Sequence, residues 1–305
     1  MKILKLIFIS VIFPHWILAQ LDNEDFKVSR ELEKLYAYTN FDEAYKNKDS
    51  VLRLSLKKYF SFEYKHDQNI VLPFDTLPDE LYSFKNLRFL ELPPQTKFIS
   101  KKISKLENLE GITLGSRMDA KEAFSALINN KKLKYLKCNG FKEIPPEIGK
   151  IISLIEIDLS YNDINILPKE FSNLTSLEIL NLWYNDLDIK QVLSVLKLCP
   201  NLKELDLANC NISKLPNEIG ELKNLIILQL GNGIIERTWR NIDTTIKDID
   251  PDPQNNIFTS IPKSISLLTK LRILYLWGSK INESEFPEIK KLLPNTIIQS
   301  NERYW

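Results

Sequence analysis

One short pattern of apolar residues returns nine times between Val51 and Leu276 and constrains this 305-residue sequence more than any other feature. Each copy contains a leucine or similar residue, two other residues, a second leucine, one residue and a third leucine, as in Leu154, Ile157 and Leu159. The copies begin at Val51, Leu87, Leu109, Leu133, Leu154, Leu177, Leu202, Leu225 and Leu271. Because a single copy cannot bury its own apolar edge, neighbouring copies must stack, and the sequence predicts a solenoid.

The residues around this pattern are also regular. The best copies extend to an asparagine three residues after the third leucine, at Asn162 and Asn185. In five connecting segments, in strings such as LPKEF and LPNEIG, a proline stands nine residues before the next copy, at Pro78, Pro145, Pro168, Pro216 and Pro262. These features are similar to the leucine-rich repeat family, and in particular to its plant- and bacterial-type repeats. The resemblance implies an α/β fold, a curved solenoid with a parallel β-sheet on the concave face and helical and extended returns on the convex face.

Three returns differ from the proline type. Residues 118–132, 186–200 and 282–294 combine an acid or asparagine near their start with apolar residues at helical spacing. Asp119 and Asp188 are two of these candidate caps. The pattern therefore predicts helices in these returns, and extended or loosely wound backbone in the proline-containing ones.

The spacing of the copies predicts the organisation of the chain. Two intervals, of 36 and 46 residues, exceed the 21–25 residues between the other copies, which indicates insertions. Asn256 stands six residues before Pro262, as Asn162 does before Pro168, so the second excess precedes Asn256. We expect a signal peptide (1–19), an N-terminal helical cap (20–50), a solenoid (51–298) with insertions at 59–72 and 234–255, and a C-terminal tail (299–305).

The first nineteen residues are typical of a secretory signal. Lys2 and Lys5 precede a short apolar run, and Ala19 supplies a small residue before a cleavage point. Without these residues the chain has 39 basic and 40 acidic residues, a balance that argues against a nucleic-acid partner. The sequence therefore predicts a secreted, periplasmic or cell-surface protein with no integral membrane segment after removal of the signal.

Few residues suit catalysis or metal binding. Outside the signal the sole histidine is His66, so a hydrolytic triad or a histidine metal site is not expected. The three cysteines occupy pattern positions that point inward, which predicts buried free thiols at Cys138, Cys199 and Cys210. We predict a non-enzymatic protein without cofactor or metal.

The residues between the leucines should face outward and line the concave surface, because side chains alternate along a strand. The position between the second and third leucines holds Asp158, Asn181, Asp206 and Tyr275. Trp183 and Trp277 lie two residues further along, and Tyr161 and Tyr184 come from the next position. Exposed aromatic side chains in a polar frame are typical of binding hot spots. These eight residues are the predicted ligand-binding site, centred on Trp183, whose neighbours Ser160 and Ala208 are too small to cover it.

Several ligands and functions are compatible with this surface. A partner protein is favoured because a solenoid presents a long continuous face. A glycan stacked on Trp183 is the second ligand class. The competing structural interpretation is that the 234–255 insertion, through residues such as Trp239, covers the tryptophans. The competing functions are adhesion in a cell envelope and, if residues 1–19 are not a signal, an intracellular signalling scaffold.

Overall fold

The computed structural model describes residues 28–57, 77–232 and 255–300, and the backbone of residues 303–304. The predicted signal peptide (1–19), the predicted insertion at 59–72 and all but the last residue of the predicted insertion at 234–255 lie outside the described residues.

One twelve-stranded sheet runs through the described residues in the order of the chain. Strands β1 to β11 are parallel, and β12 pairs with β11 in the antiparallel direction. The strands are β1 Ala37–Tyr38, β2 Arg53–Ser55, β3 Phe89–Glu91, β4 Gly111–Thr113, β5 Tyr135–Lys137, β6 Glu156–Asp158, β7 Ile179–Asn181, β8 Glu204–Asp206, β9 Ile227–Gln229, β10 Ile273–Tyr275, β11 Ile297–Ser300 and β12 Arg303–Tyr304. This topology confirms the predicted α/β leucine-rich-repeat solenoid.

The leucines of the repeated pattern form the core. In β6 and β7 the second leucine positions, Ile157 and Leu180, lie opposite each other in the register, and both side chains are fully buried in the main apolar cluster. Glu156 and Asp158, on either side of Ile157, point to the opposite side of the sheet. We call that opposite side the concave face.

The returns are of the two predicted kinds. The loosely wound returns are five-residue 3₁₀ helices, which start directly after the five prolines and after Ser100. They span Asp79–Ser83, Lys101–Lys105, Pro146–Lys150, Lys169–Asn173, Asn217–Glu221 and Lys263–Leu267. The other three returns contain α3 Ala120–Leu127, α4 Ile189–Leu196 and α5 Phe286–Leu292, the last preceded by a short 3₁₀ segment. Asp119 and Asp188 accept hydrogen bonds from Glu122 N and Gln191 N, which confirms both as N-caps.

A ladder of buried amide side chains, Asn162, Asn185 and Asn256, closes the turns after β6, β7 and β9. Nδ2 of Asn185 donates to the carbonyl oxygens of Leu182 (2.8 Å) and Leu159 (2.9 Å), and its Oδ1 accepts from Ile164 N. Asn256 makes the same bonds, because its Nδ2 donates to Leu230 O and Leu207 O, both at 2.8 Å.

Asn256 therefore occupies the ladder position that follows β9, although residues 233–255 separate it from that strand. Its Oδ1 accepts from Cys210 N and Ile212 N, the backbone of the preceding repeat. Strands β9 and β10 also pair in register, with Leu228 opposite Leu274. The sheet is therefore continuous from β9 to β10, and the insertion predicted at 234–255 falls between these two strands in the sequence.

The two ends of the array differ from a plain helical cap and tail. The N-terminal region contains α1 Val28–Glu33 and α2 Phe41–Lys46, and between them β1 adds an unpredicted strand to the sheet edge. Phe41 and Ala44 of α2 pack into the core cluster, as a cap should. Helix α1 lies elsewhere, on the concave face. At the other end, β11 is the last parallel strand, and β12 pairs with it in the antiparallel direction within residues 299–305, the predicted C-terminal tail.

Two further observations concern the described residues alone. Cys138, Cys199 and Cys210 are buried and free, as their pattern positions predicted. No helix in the described part of the chain combines the length and the apolar character needed to cross a membrane.

Candidate recognition surface

Helix α1 occupies the concave face above strands β3 to β6. Leu32, which is fully buried, packs against the rings of Phe89 on β3 and Tyr135 on β5, and these two rings also contact each other edge-on with centroids 5.8 Å apart. Directly beneath it is Gly111 of β4, where an added Cβ atom would lie 2.5 Å from Leu32 Cδ1. The glycine therefore provides the space that this side chain fills.

A buried carboxylate anchors the start of α1. Oε2 of Glu156 accepts from Ser29 N at 3.0 Å, and Oε1 accepts from Ser29 Oγ at 2.5 Å. Burial raises the pKa of Glu156 to about 7, while the two hydrogen bonds from Ser29 act in the opposite direction. The other end of the segment is held by Arg53 of β2, whose guanidinium donates to Glu33 O and pairs with Glu91 at 2.9 Å.

The sequence pattern does not predict this contact, because residues 20–50 are predicted to form an end cap and the predicted ligand-binding residues come from other outward positions. The position just before the second leucine also faces the concave side, and it supplies Phe89, Gly111, Tyr135 and Glu156. A glycine between two aromatic residues in adjacent repeats was the available signal, since an exposed glycine weakens a strand unless something approaches it closely.

The polar residues predicted to contact a ligand have internal roles. Oδ1 of Asp158 accepts from Ser160 N, Oδ1 of Asn181 from Trp183 N and Oδ1 of Asp206 from Ala208 N. All three side chains are buried. Asp158 additionally accepts from Asn181 Nδ2 at 3.1 Å and pairs with Lys137 Nζ at 2.7 Å. Each of these side chains thus shapes the turn that ends its own strand, in three consecutive repeats.

Trp183 is buried as well, and the expectation of an exposed ring is wrong. Only 6% of the residue is accessible. The ring of Tyr161 meets it edge-on with centroids 4.5 Å apart, and Tyr184 contacts it at 6.2 Å. Its indole Nε1 donates to Asn209 Oδ1 at 3.1 Å, and Asn209 donates in turn to Asn255. Ser160 and Ala208 are indeed too small to cover the indole, but the tyrosines of the next pattern position reach over it.

These two tyrosines stand in unusual backbone conformations. Tyr161 has φ +56° and Tyr184 φ +58°, in the left-handed region where most side chains are strained. The same position is occupied in other repeats by Gly140, Asn209 and Gly278, residue types that adopt this conformation readily. Tyr161 remains 37% exposed and Tyr184 is partly exposed, with the two ring centroids 5.1 Å apart.

The last two predicted residues lie on β10 and just after it. Tyr275 is buried in a separate apolar cluster of the concave face with Ile227 and Ile273. Trp277 is 40% exposed. Since β7 to β10 are consecutive strands, Trp277 stands three strands from Tyr184, or about 14 Å at the usual strand spacing, and Tyr161 is one strand further away. Of the eight predicted residues, three therefore present accessible surface, namely Tyr161, Tyr184 and Trp277. We call these three residues the aromatic edge.

Sequence comparison agrees with the architecture. Two sequence models of the leucine-rich repeat family match the chain, at residues 132–187 and at residues 201–222. These two segments of the chain are therefore leucine-rich repeats. No curated protein matches its sequence at a significant level.

Solved leucine-rich repeat structures share this fold. A leucine-rich repeat protein of Leptospira interrogans aligns with a TM-score of 0.60 and 24% identity over 87% of this chain and 58% of its own. This chain therefore spans little more than half of the length of the Leptospira protein. Internalin C2 of Listeria monocytogenes aligns with a TM-score of 0.50 and 19% identity over 73% of this chain and 83% of its own. At these identities the likeness concerns the fold alone.

Because Trp183 is buried and the backbone at Tyr184 is strained, substitutions at these two adjacent residues should change the free energy of unfolding by very different amounts. Trp183→Ala should lower the free energy of unfolding by roughly 3–5 kcal/mol, because it removes a packed ring. Tyr184→Asn should change it by less than about 1 kcal/mol, because relief of the left-handed strain offsets the lost ring contact. Equilibrium denaturation of both variants measures the difference. Equal losses would contradict this description of the two positions.

Proposed function

We propose that this leucine-rich repeat protein is an exported, non-enzymatic recognition module that binds a partner protein at the aromatic edge. The observation that carries the proposal is the pair of tyrosines in left-handed conformation. Each such residue costs on the order of 1 kcal/mol relative to the glycine or asparagine found at the same position in other repeats. Strain of this kind, in two adjacent repeats, favours a functional reason for the rings.

The tyrosines are held on a rigid base. Trp183 fills the space beneath them, and its indole N–H is fixed by Asn209. Two partly exposed rings that are already ordered lose little conformational entropy on binding, and such anchors dominate the energetics of protein interfaces. Trp277 adds a third ring about 14 Å away on the same edge of the continuous sheet. A surface of this length suits a protein better than a small molecule.

The glycan alternative has lost its main support. It relied on an open face of Trp183 next to free polar groups on Asp158, Asn181 and Asp206. The indole is buried, and each of the three polar side chains accepts a backbone hydrogen bond within its own turn. Protein therefore remains the favoured ligand class, and adhesion without a specific partner does not account for the strained tyrosines.

Export is the second part of the proposal, and it rests on the charged start, the apolar run and Ala19. Protein recovered from the medium or the cell envelope should have the intact mass of a chain that begins at Gln20 or Leu21. Retention of Met1 in exported protein would contradict cleavage, and recovery of the protein solely from the cytoplasm would favour the scaffold interpretation.

Recognition is tested by substituting asparagine at both strained positions, because asparagine tolerates the left-handed conformation. In pull-downs from extracellular medium, the Tyr161→Asn/Tyr184→Asn variant should lose the proteins captured by the wild type. With a captured partner in hand, each substitution should weaken binding by roughly 30-fold, as expected for a hot spot of about 2 kcal/mol.

The matched control is Tyr36→Asn, which removes an exposed tyrosine outside the aromatic edge. This variant should capture the same proteins as the wild type. Undiminished capture by the double variant would overturn the proposal. If the wild-type protein no longer captures the partner after the proteins of the medium have been enzymatically deglycosylated, although the deglycosylated partner is still present in the medium, the ligand is a glycan instead.

A further inference from the structure

The concave surface beneath α1 has features that the solenoid itself does not require. The core of the array lies on the other side of the sheet, and Leu32, Phe89 and Tyr135 form an apolar cluster separate from it. Gly111 has no left-handed conformation to justify a glycine, yet any side chain there would collide with Leu32. The space above Gly111 is filled by Leu32 together with the rings of Phe89 and Tyr135, whose nearest atoms would lie 3.1 Å and 3.2 Å from an added Cβ atom. We call this space on strands β3 to β5 the notch.

The second feature is a specific polar contact at the end of this notch. Glu156 is buried, and burial of a carboxylate is unfavourable unless the group is hydrogen-bonded. Both of its oxygens accept from a single residue, Ser29, through the backbone N–H and the hydroxyl. Glu156 therefore favours a hydroxyl-bearing residue at the position of Ser29, and the notch favours a leucine three residues later, at the position of Leu32. In a helix these two positions lie on the same face.

The third feature concerns the segment itself. Helix α1 has six residues, and an isolated helix of that length is not stable in water. Its helical form therefore depends on this surface. Because Val28 and Leu35 are only partly buried against the cluster, the contact is concentrated on Ser29 and Leu32. The separation of the two apolar clusters means that α1 contributes no side chain to the leucine core.

We propose that strands β3 to β6 form a second binding site, which accepts a short helical segment carrying a serine or threonine and, three residues later, a leucine. Residues 28–35 of this chain are its intramolecular occupant. The site is distinct from the aromatic edge and does not depend on the function proposed for it. A partner that presents such a segment binds here when residues 28–35 leave.

The test uses the full chain and a fluorescent peptide with the sequence of residues 28–38. Leu32→Asp in the protein should release the intramolecular segment and leave the site open. Fluorescence anisotropy should then show saturable binding of the peptide to the Leu32→Asp protein, at least about ten-fold tighter than to the wild type, whose site is occupied. Ser29→Ala in the protein should give an intermediate affinity, because it removes the hydroxyl and keeps the leucine.

Three controls make the result specific. A peptide in which the residue equivalent to Leu32 is aspartate should not bind. Gly111→Leu, added to Leu32→Asp, should fill the notch and abolish peptide binding, whereas Tyr36→Asn in the same background should not. The native cysteines report the fold, since Cys138, Cys199 and Cys210 are buried and react with thiol reagents once the core opens.

The proposal is overturned if the folded Leu32→Asp protein shows no saturable binding of the peptide, or if the notch-filled variant binds it equally well. It is also overturned if both Leu32→Asp and Ser29→Ala expose the three cysteines, because α1 would then be part of the core rather than a ligand held on its surface.

Discussion

The buried asparagine ladder is the interaction on which the rest of this structure depends. The strands β2 to β11 span only three or four residues each. The carbonyl groups at the ends of these strands therefore need hydrogen-bond donors from within the protein, away from water. Asn162, Asn185 and Asn256 satisfy these groups in two repeats at once, because each amide bonds to a carbonyl of its own strand and to one of the preceding strand. Cys210 takes the same place through weaker Sγ contacts to Leu182 O and Ala208 O.

This ladder and the leucine core leave the concave side free to vary. The side chains facing away from the core are used for three different purposes along the array. Between β3 and β6 they hold α1, between β6 and β8 they close turns, and just beyond β7 they support the aromatic edge. Because the core does not restrict which residues face the concave side, one solenoid can carry two candidate binding surfaces.

The sequence predicted those parts of the fold that are set by local rules. The leucine positions, the helical returns beginning at Asp119 and Asp188, and the re-entry of the repeat at Asn256 depend on spacing and on residue type alone. The same spacing identified Cys138 as a buried core residue. Each of these features recurs in several repeats of the chain, so an irregular repeat could be recognised by comparing its spacing with that of its neighbours.

The candidate site was harder to predict, because accessibility depends on contacts between repeats. Trp183 faces outward in the sequence pattern, but the left-handed backbone at Tyr161 and Tyr184 turns two rings over it. Asp158 and Asp206 point to the concave side as predicted, yet their carboxylates bond to the backbone two residues on. The contact between Leu32 and Gly111 joins residues far apart in the chain, and no local rule indicates which outward position a distant helix will cover.

The most direct test of this account is the stability of an Asn256→Ala variant. Asn256 restores the ladder after β9, and with it β6 to β10 form one continuous surface. Loss of its buried hydrogen bonds should lower the free energy of unfolding by about 2 kcal/mol or more, because several backbone groups lose their partners. Asn217→Ala, at an exposed asparagine, should stay within about 0.5 kcal/mol of the wild type. Equal stability of the two variants in equilibrium denaturation would contradict the ladder and the continuity of the surface.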